Sequence, residues 1–473
     1  MASTDVSRLL SDYDFLREIG DVADETGVKA FLVGGFVRDL FLDRPRTDVD
    51  IMTLGDGPAF AEACAARFGL EKVSIFRRFG TAHFRLRSMD IEIVGARKES
   101  YSEESRNPEV APASFEEDIA RRDFTVNAMA AAITGEEYGE LIDLFGGLAD
   151  LERRLLRTPL DPNVTFDDDP LRILRAFRFA AQLAFDIHED VLAAAESNRE
   201  RLRIVSAERI TEELLKTLAA PKPSVGLTPM FRAGVLEVVF PEIANLAGVD
   251  SIRDRRHKDV FYHTMQVVDN VAEASENVWL RFAALTHDVA KPATKKFVEG
   301  TGWTFHAHDE IGARMIKGIF RRLKLPHAKR DYVAKLVRLH LRPMALAKEE
   351  VTDSAIRRLI VEADEDLDDL ILLARADITS KNRRKVDAYL RNYDRVMTRV
   401  REVKEKDALR AFQSPVRGEE IMRVCDIKPS KTVGEIKSAI EEAILEGEIP
   451  NTYDAAYNYF LKIKDRFLDD PDE

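Results

Sequence analysis

Cysteine is nearly absent: Cys64 and Cys425 are the two in 473 residues, and neither belongs to a CxxC pair. A disulfide framework and a thiolate zinc site are therefore excluded. Basic charge is not in excess either, since 71 Lys and Arg stand against 84 Asp and Glu for a net charge of −13. That balance excludes a protein that coats nucleic acid indiscriminately, so any RNA must meet a local basic surface. There is no apolar run long enough to span a bilayer and no basic, then apolar, leader-like start. The expectation is a cytoplasmic protein with no membrane partner. The chain also lacks a fixed-period repeat, which excludes solenoids.

What is present divides into two regimes. An amphipathic helix is predicted over Phe15–Thr26, followed by the short strand Ala30–Val33, the pair Gly34-Gly35 and a helix over Phe36–Phe41. The alternating stretches Thr81–Leu86 and Met89–Val94, with Arg87-Ser88 between them, read as a hairpin. Beyond about Leu151 strand signals nearly vanish, and Pro170–Leu183 and Ala207–Leu218 carry apolar residues at helical spacing. The fold class is thus α+β at the start and helical afterwards, in segments of residues 1–150, 151–250, 251–380 and 381–473.

Asp48-Val49-Asp50 opens a strand continuing through Met52, and alternate strand residues share a face, so the two carboxylates project together. They repel unless a divalent cation bridges them, and Mg2+ suits hard oxygen ligands that leave room for water and phosphate. Gly34 and Gly35 would let backbone N–H groups approach a triphosphate. Glu92, flanked by Ile91 and Ile93, could supply a third carboxylate, and Asp90 shares its face.

The ordered series Leu32–Asp39, Asp48–Asp50, Arg121–Ala128 and Asp169–Arg175 resembles the class II tRNA nucleotidyltransferase and bacterial poly(A) polymerase family. The resemblance implies a polymerase-β-like nucleotidyltransferase head over residues 1–150, an all-α neck over 151–250, and tRNA, CTP and ATP as partners. By the same resemblance Asp48 and Asp50 hold metal, and Arg38 with the glycine turn faces the triphosphate. Arg122, Asp123 and Asn127 would engage the ribose and phosphates. Asp169 and Arg172, spaced i and i+3 at a helix start, would present a Watson–Crick-like edge to the base, with Arg175 on the same stripe. The family usually has Glu-Asp where this chain has Asp168-Asp169.

A second constellation follows in the helical half: His263, the doublet His287-Asp288, His308, His340 and Asp377, each set among apolar helical residues. Buried His and Asp need partners, and one metal can serve several. The series resembles the HD phosphohydrolase superfamily, with His308 and His340 similar to the extra histidines of two-metal members. It implies an HD domain over 251–380 holding one or two divalent transition metals, ahead of a helical C-terminal region over 381–473. The function implied is template-independent addition of CCA, or part of it, to tRNA, with a secondary HD phosphohydrolase activity. Competing readings are a poly(A) polymerase, a partial C- or A-adding enzyme, and a nucleotide phosphohydrolase with an inactive head.

Overall fold

The β-branched and aromatic runs of the first 150 residues pair into one seven-stranded sheet. Its strands are β1 (Lys29–Val33), β2 (Asp48–Leu54), β3 (Ser74–Phe76), β4 (Thr81–Leu86), β5 (Met89–Gly95), β6 (Ala130–Ala132) and β7 (Leu141–Ile142), in the order β3-β4-β5-β2-β1-β6-β7. This computed structural model describes residues 5–77, 80–100, 109–248, 251–252, 255–256, 259–299, 301–348, 352–380, 382–411, 414–445, 448–450 and 452–468.

Neighbouring strands are antiparallel except β2 and β5, which run parallel. Because those two begin at the same end of the sheet, their first acidic residues come into register: Asp48 opposite Asp90 and Asp50 opposite Glu92. The antiparallel β1 ends there too, with Val33 opposite Asp50, so the chain enters Gly34 beside that carboxylate.

Alternation then assigns the two faces. Val49, Ile51, Ile91 and Ile93 enter a core shared with Leu16 and Ile19 of α1 (Phe15–Thr26) and Val37 of α2 (Gly35–Phe41). The opposite face carries Met52, Phe31 and Val33 in a smaller cluster capped by Phe115 and Ile119. That smaller cluster stops short of the strand starts, which leaves the acidic end of this face open.

After residue 151 the chain is mostly helical, including α3 (Leu171–Leu183), α4 (Ala207–Leu218), α5 (Val260–Ala274), α6 (Val278–Thr286), α7 (His308–Arg322), α8 (His327–Leu339) and α9 (Leu367–Ala376). Among the described residues three short strand pairs depart from the expected helix, one of them Ser251–Ile252 with Arg255–Arg256. Leu155–Leu156 pairs with Asp186–Ile187, and Lys296–Val298 pairs with Gly302–Thr304, where Phe297 stands opposite Trp303 with ring centroids 5.3 Å apart. Strands of two or three residues are too short for their periodicity to register in the sequence.

The chain forms two compact units: residues 1–345 with 363–390, and residues 346–362 with 391–473. The second unit has its own core of Val416, Ile421, Ile436, Ile440 and Phe460. Among the described residues no helix is long and apolar enough to cross a membrane, and both cysteines are unpaired. Lys381 and Asp469–Glu473 lie outside the described residues.

Candidate active site and metal centre

Asp50 is the pivot of the open sheet end. Burial first, and then the neighbouring Glu92 charge, push its carboxyl up to about 6. Gly34 lies against it with φ of 71°, and a Cβ there would stand 3.2 Å from Asp50 Oδ2 and 3.3 Å from an Arg122 guanidinium nitrogen. Only glycine fits both that backbone and that gap. Asp50 and Glu92 line a cleft of about 380 Å³ together with six arginines, Arg97, Arg121, Arg122, Arg172, Arg175 and Arg209. Asp48 shares the face but is exposed at the strand start. Asp90, the alternative third carboxylate, instead lies 3.6 Å from His83.

Behind the cleft a buried polar chain ties the head to α3. Arg38 donates to Asn127 Oδ1 at 2.7 Å and to both oxygens of Asp39. Asn127 donates to Asp123 Oδ1 at 3.0 Å, and Arg175 Nε donates to Asp123 Oδ2 at 2.7 Å. Burial alone would raise the Asp123 carboxyl, but Arg175 and Asn127 hold it down at about 2. Arg38 and Asn127 therefore sit under the cleft and brace Asp123, while Arg122, Arg172 and Arg175 line it.

Asp169 adopts an extended backbone ahead of α3, with Pro170 rather than Asp169 at the helix cap. Its Oδ1 accepts from Leu171 N at 3.0 Å and its Oδ2 from Arg209 at 3.1 Å. Arg172 reaches the Thr165 carbonyl at 3.3 Å. Both side chains line the same cleft, and the partner of Asp169 comes from a tripeptide that resembles the last motif of the family. Arg209 belongs to Glu208-Arg209-Ile210 at the start of α4, 40 residues downstream.

The six HD-type candidates converge in the helical region, and most stand at helix ends. His263 lies on α5, His308 opens α7, and His287, His340 and Asp377 cap the carboxy-terminal ends of α6, α8 and α9. The His-Asp doublet thus leaves the helix just after Thr286 instead of lying within it.

Each imidazole is oriented from behind. His287 Nδ1 donates to Ala284 O at 2.7 Å, His308 Nδ1 to Phe305 O at 2.8 Å and His340 Nδ1 to Val337 O at 2.6 Å. A proton fixed on Nδ1 leaves Nε2 as the inward atom, the arrangement metal-ligating histidines use. Nε2 of His287 is 3.2 Å from Asp288 Oδ2, and Nε2 of His308 and His340 are 3.4 and 3.9 Å from Asp288 Oδ1. Those three nitrogens and Asp288 Oδ1 are buried with no hydrogen-bond partner. Such close but unpaired atoms are costly unless something else joins them, and a cation does so.

Two groups emerge, His263/His287/Asp288 and Asp288/His308/His340, sharing the Asp288 carboxylate. Asp377 completes the first, 2.9 Å from His263 Nε2 and 3.6 Å from His287 Nε2. Burial alone would lower His287, but Asp288 and then Asp377 hold it up at about 10. Burial and His287 push His340 down to about 4. The interior is built for positive charge at its centre. Lys291, 2.6 Å from Asp288 Oδ2, and Thr379, 2.8 Å from His263 Nδ1, adjoin it and were not signalled by ligand spacing.

Three family models match successive parts of the chain. Residues 30–157 match the Poly A polymerase head domain, residues 184–246 the probable RNA and SrmB-binding site of polymerase A, and residues 260–382 the HD domain. The chain is 32% identical to the A-adding tRNA nucleotidyltransferase of Deinococcus radiodurans over 358 residues, spanning 73% of this chain and 78% of that one. It is 33% identical to the multifunctional CCA protein of Nitrosospira multiformis, over 68% of this chain and 77% of that one.

The chain belongs to the tRNA nucleotidyltransferase family.

A further member, the A-adding tRNA nucleotidyltransferase of Aquifex aeolicus, is 46% identical over 160 residues, covering 34% of this chain but only 19% of that protein. Among solved structures, a tRNA nucleotidyltransferase complexed with a primer tRNA and an incoming ATP analog superposes with a TM-score of 0.58 at 26% identity, covering 80% of this chain and 99% of that one. The chain is therefore an enzyme of nucleotidyl transfer with an HD domain appended.

Proposed function

We propose that the chain extends tRNA 3′ ends without a nucleic-acid template, transferring CMP and AMP from CTP and ATP to complete all or part of CCA, with release of pyrophosphate. The observation that carries this reading is the in-register pairing of Asp50 with Glu92 at the mouth of a cleft lined by six arginines. The acidic oxygens suit a hard cation, and the guanidinium groups beside them suit phosphate. Magnesium on Asp48 and Asp50, with Glu92 beside them, supplies charge neutralisation and a more acidic terminal hydroxyl when bound. Arg122 and Arg175 hold phosphate oxygens, and Asp169 with Arg172 offers an acceptor and a donor fork to the base. The head, neck, HD domain and carboxy-terminal region are assigned to residues 1–150, 151–250, 251–380 and 381–473. With tRNA as substrate, the compartment is the cytoplasm.

The HD centre is assigned a phosphomonoesterase or phosphodiesterase activity with one or two divalent transition metals. The unpaired imidazole nitrogens around Asp288 support it. Supplied with manganese, nickel or cobalt, the protein is expected to hydrolyse a chromogenic phosphoester or a 2′,3′-cyclic nucleotide. Hydrolysis of neither would remove the assignment.

A second reading, addition of the terminal A alone, is favoured by the names of the Aquifex and Deinococcus relatives. Transcripts ending at the discriminator base, at C and at CC, each given CTP, ATP or both, separate the readings. Growth from the discriminator base to CCA marks a complete enzyme, and growth from CC alone marks an A-adding one. Long A tracts would replace both with poly(A) synthesis. In the same assay Arg172→Ala is expected to blur the choice between CTP and ATP by about tenfold or more, the worth of one bidentate contact. Unchanged choice would take Arg172 out of base reading.

A further inference from the structure

Asp118 is an acid in the middle of a phosphate-binding wall. It lines the cleft, yet is only 1% exposed, and it belongs to the short helix Phe115–Ala120 just before Arg121 and Arg122. Its Oδ1 accepts from Arg121 Nη2 at 2.9 Å and from Arg121 Nε at 3.3 Å, and its Oδ2 accepts from Arg122 Nη2 at 3.1 Å. Oδ1 also accepts from the backbone N–H of Arg97, just beyond β5, at 3.2 Å. One buried carboxylate thus gathers two guanidinium groups and anchors them to the backbone at Arg97, where the chain has just left the strand that carries Glu92.

The consequence for Arg122 is specific. Its Nη2 is committed to Asp118, while Nη1 is the atom 3.3 Å from where a Gly34 Cβ would stand, on the same side as Asp50 Oδ2. Its Nε is buried without a hydrogen-bond partner. An arginine held in this way keeps its other terminal nitrogen, Nη1, for a ligand and loses little freedom when that ligand arrives.

We propose that Asp118 is a positioning residue of the triphosphate subsite. It locks Arg121 and Arg122 into a clamp beside the glycine turn, ready for the phosphates of the incoming nucleotide. The proposal rests on reading this cleft as the nucleotide site. A direct ligand role is disfavoured, because a carboxylate facing phosphate would repel it.

The test compares ATP with AMP binding by calorimetry, in wild type and Asp118→Asn, alongside steady-state transfer to tRNA. Wild type is expected to bind ATP more tightly than AMP. Asp118→Asn is expected to lose about tenfold to a hundredfold in ATP affinity, the worth of one or two charge-assisted bonds, with little change for AMP and a matching rise in KM. Equal loss for ATP and AMP, or no loss for ATP, overturns the proposal. Wild type binding neither nucleotide would instead overturn the reading of the cleft, and the proposal with it. If Asp118→Asn does not fold, Asp118→Asn/Arg121→Gln restores the local charge balance. It is expected to bind ATP more weakly than Arg121→Gln alone, through the released Arg122, and equality of the two overturns the proposal.

Discussion

Asp50→Asn is expected to abolish nucleotide addition and, at the same time, to make the metal-free protein more stable. The two effects share one cause. The Asp50 carboxyl is pushed up to about 6 by burial and by Glu92, so ionising it in the folded chain works against the fold. The unfolded chain ionises it near 4, and below that pH both states are protonated and no penalty exists. As pH rises from about 4 to about 6 the unfolded state sheds the proton first, and the fold loses up to roughly 3 kcal/mol, fully so above pH 6. Asparagine removes that penalty. Thermal denaturation of metal-free protein at pH 7.5 should therefore favour Asp50→Asn by about 1–3 kcal/mol, and the advantage should vanish near pH 4. Added magnesium should recover the stability of wild type and leave the variant unmoved. A variant less stable than wild type at pH 7.5 would show that the carboxylate is held by something other than a waiting cation.

Asp288→Asn should empty both metal positions of the HD centre at once, because the two ligand groups share that one carboxylate. Metal analysis after loading with nickel, which prefers imidazole to the carboxylates of the head, is expected to give up to about two equivalents for wild type and a small fraction of that for the variant. Phosphoester hydrolysis should fall by at least about a hundredfold, the loss that removing even an outer-shell partner can bring. His340→Ala is the contrast: it breaks one group and leaves His263, His287 and Asp288 intact, so about one equivalent should remain. Equal retention of metal by Asp288→Asn and wild type would remove Asp288 as the bridge. Nucleotide addition should be unaffected in either HD variant.

Much of the head was legible because its chemistry is local. Asp48 and Asp50 share a strand face by alternation alone, and Gly34 follows a strand whose end is marked by Gly34-Gly35. The choice between Asp90 and Glu92 was not legible. It depends on β2 and β5 pairing in parallel across 42 residues, which sets Glu92 beside Asp50 and Asp90 beside Asp48. Arg209 stands in Glu208-Arg209-Ile210, which resembles the last motif of the family, but its pairing with Asp169 was not legible for the same reason, since the two residues lie at different helix starts. Asp118 carried a faint local signal, being three and four residues before Arg121 and Arg122, but that spacing is also the pattern of an ordinary surface ion pair. Burial distinguishes the two, and burial is a property of the fold. In the HD region the ligand residues were legible by type. Their inward aim was not, because it comes from backbone carbonyls that hold each Nδ1.

The most direct measurement of the whole account is transfer of labelled AMP from ATP to a tRNA transcript ending in CC, made side by side with phosphoester hydrolysis for wild type, Asp50→Asn and Asp288→Asn. The expected result is a crossing: wild type does both, Asp50→Asn hydrolyses without adding nucleotide, and Asp288→Asn adds nucleotide without hydrolysing. Transfer at the wild-type rate by Asp50→Asn would contradict the account, because it would put nucleotidyl transfer somewhere other than the Asp50 and Glu92 end of the sheet.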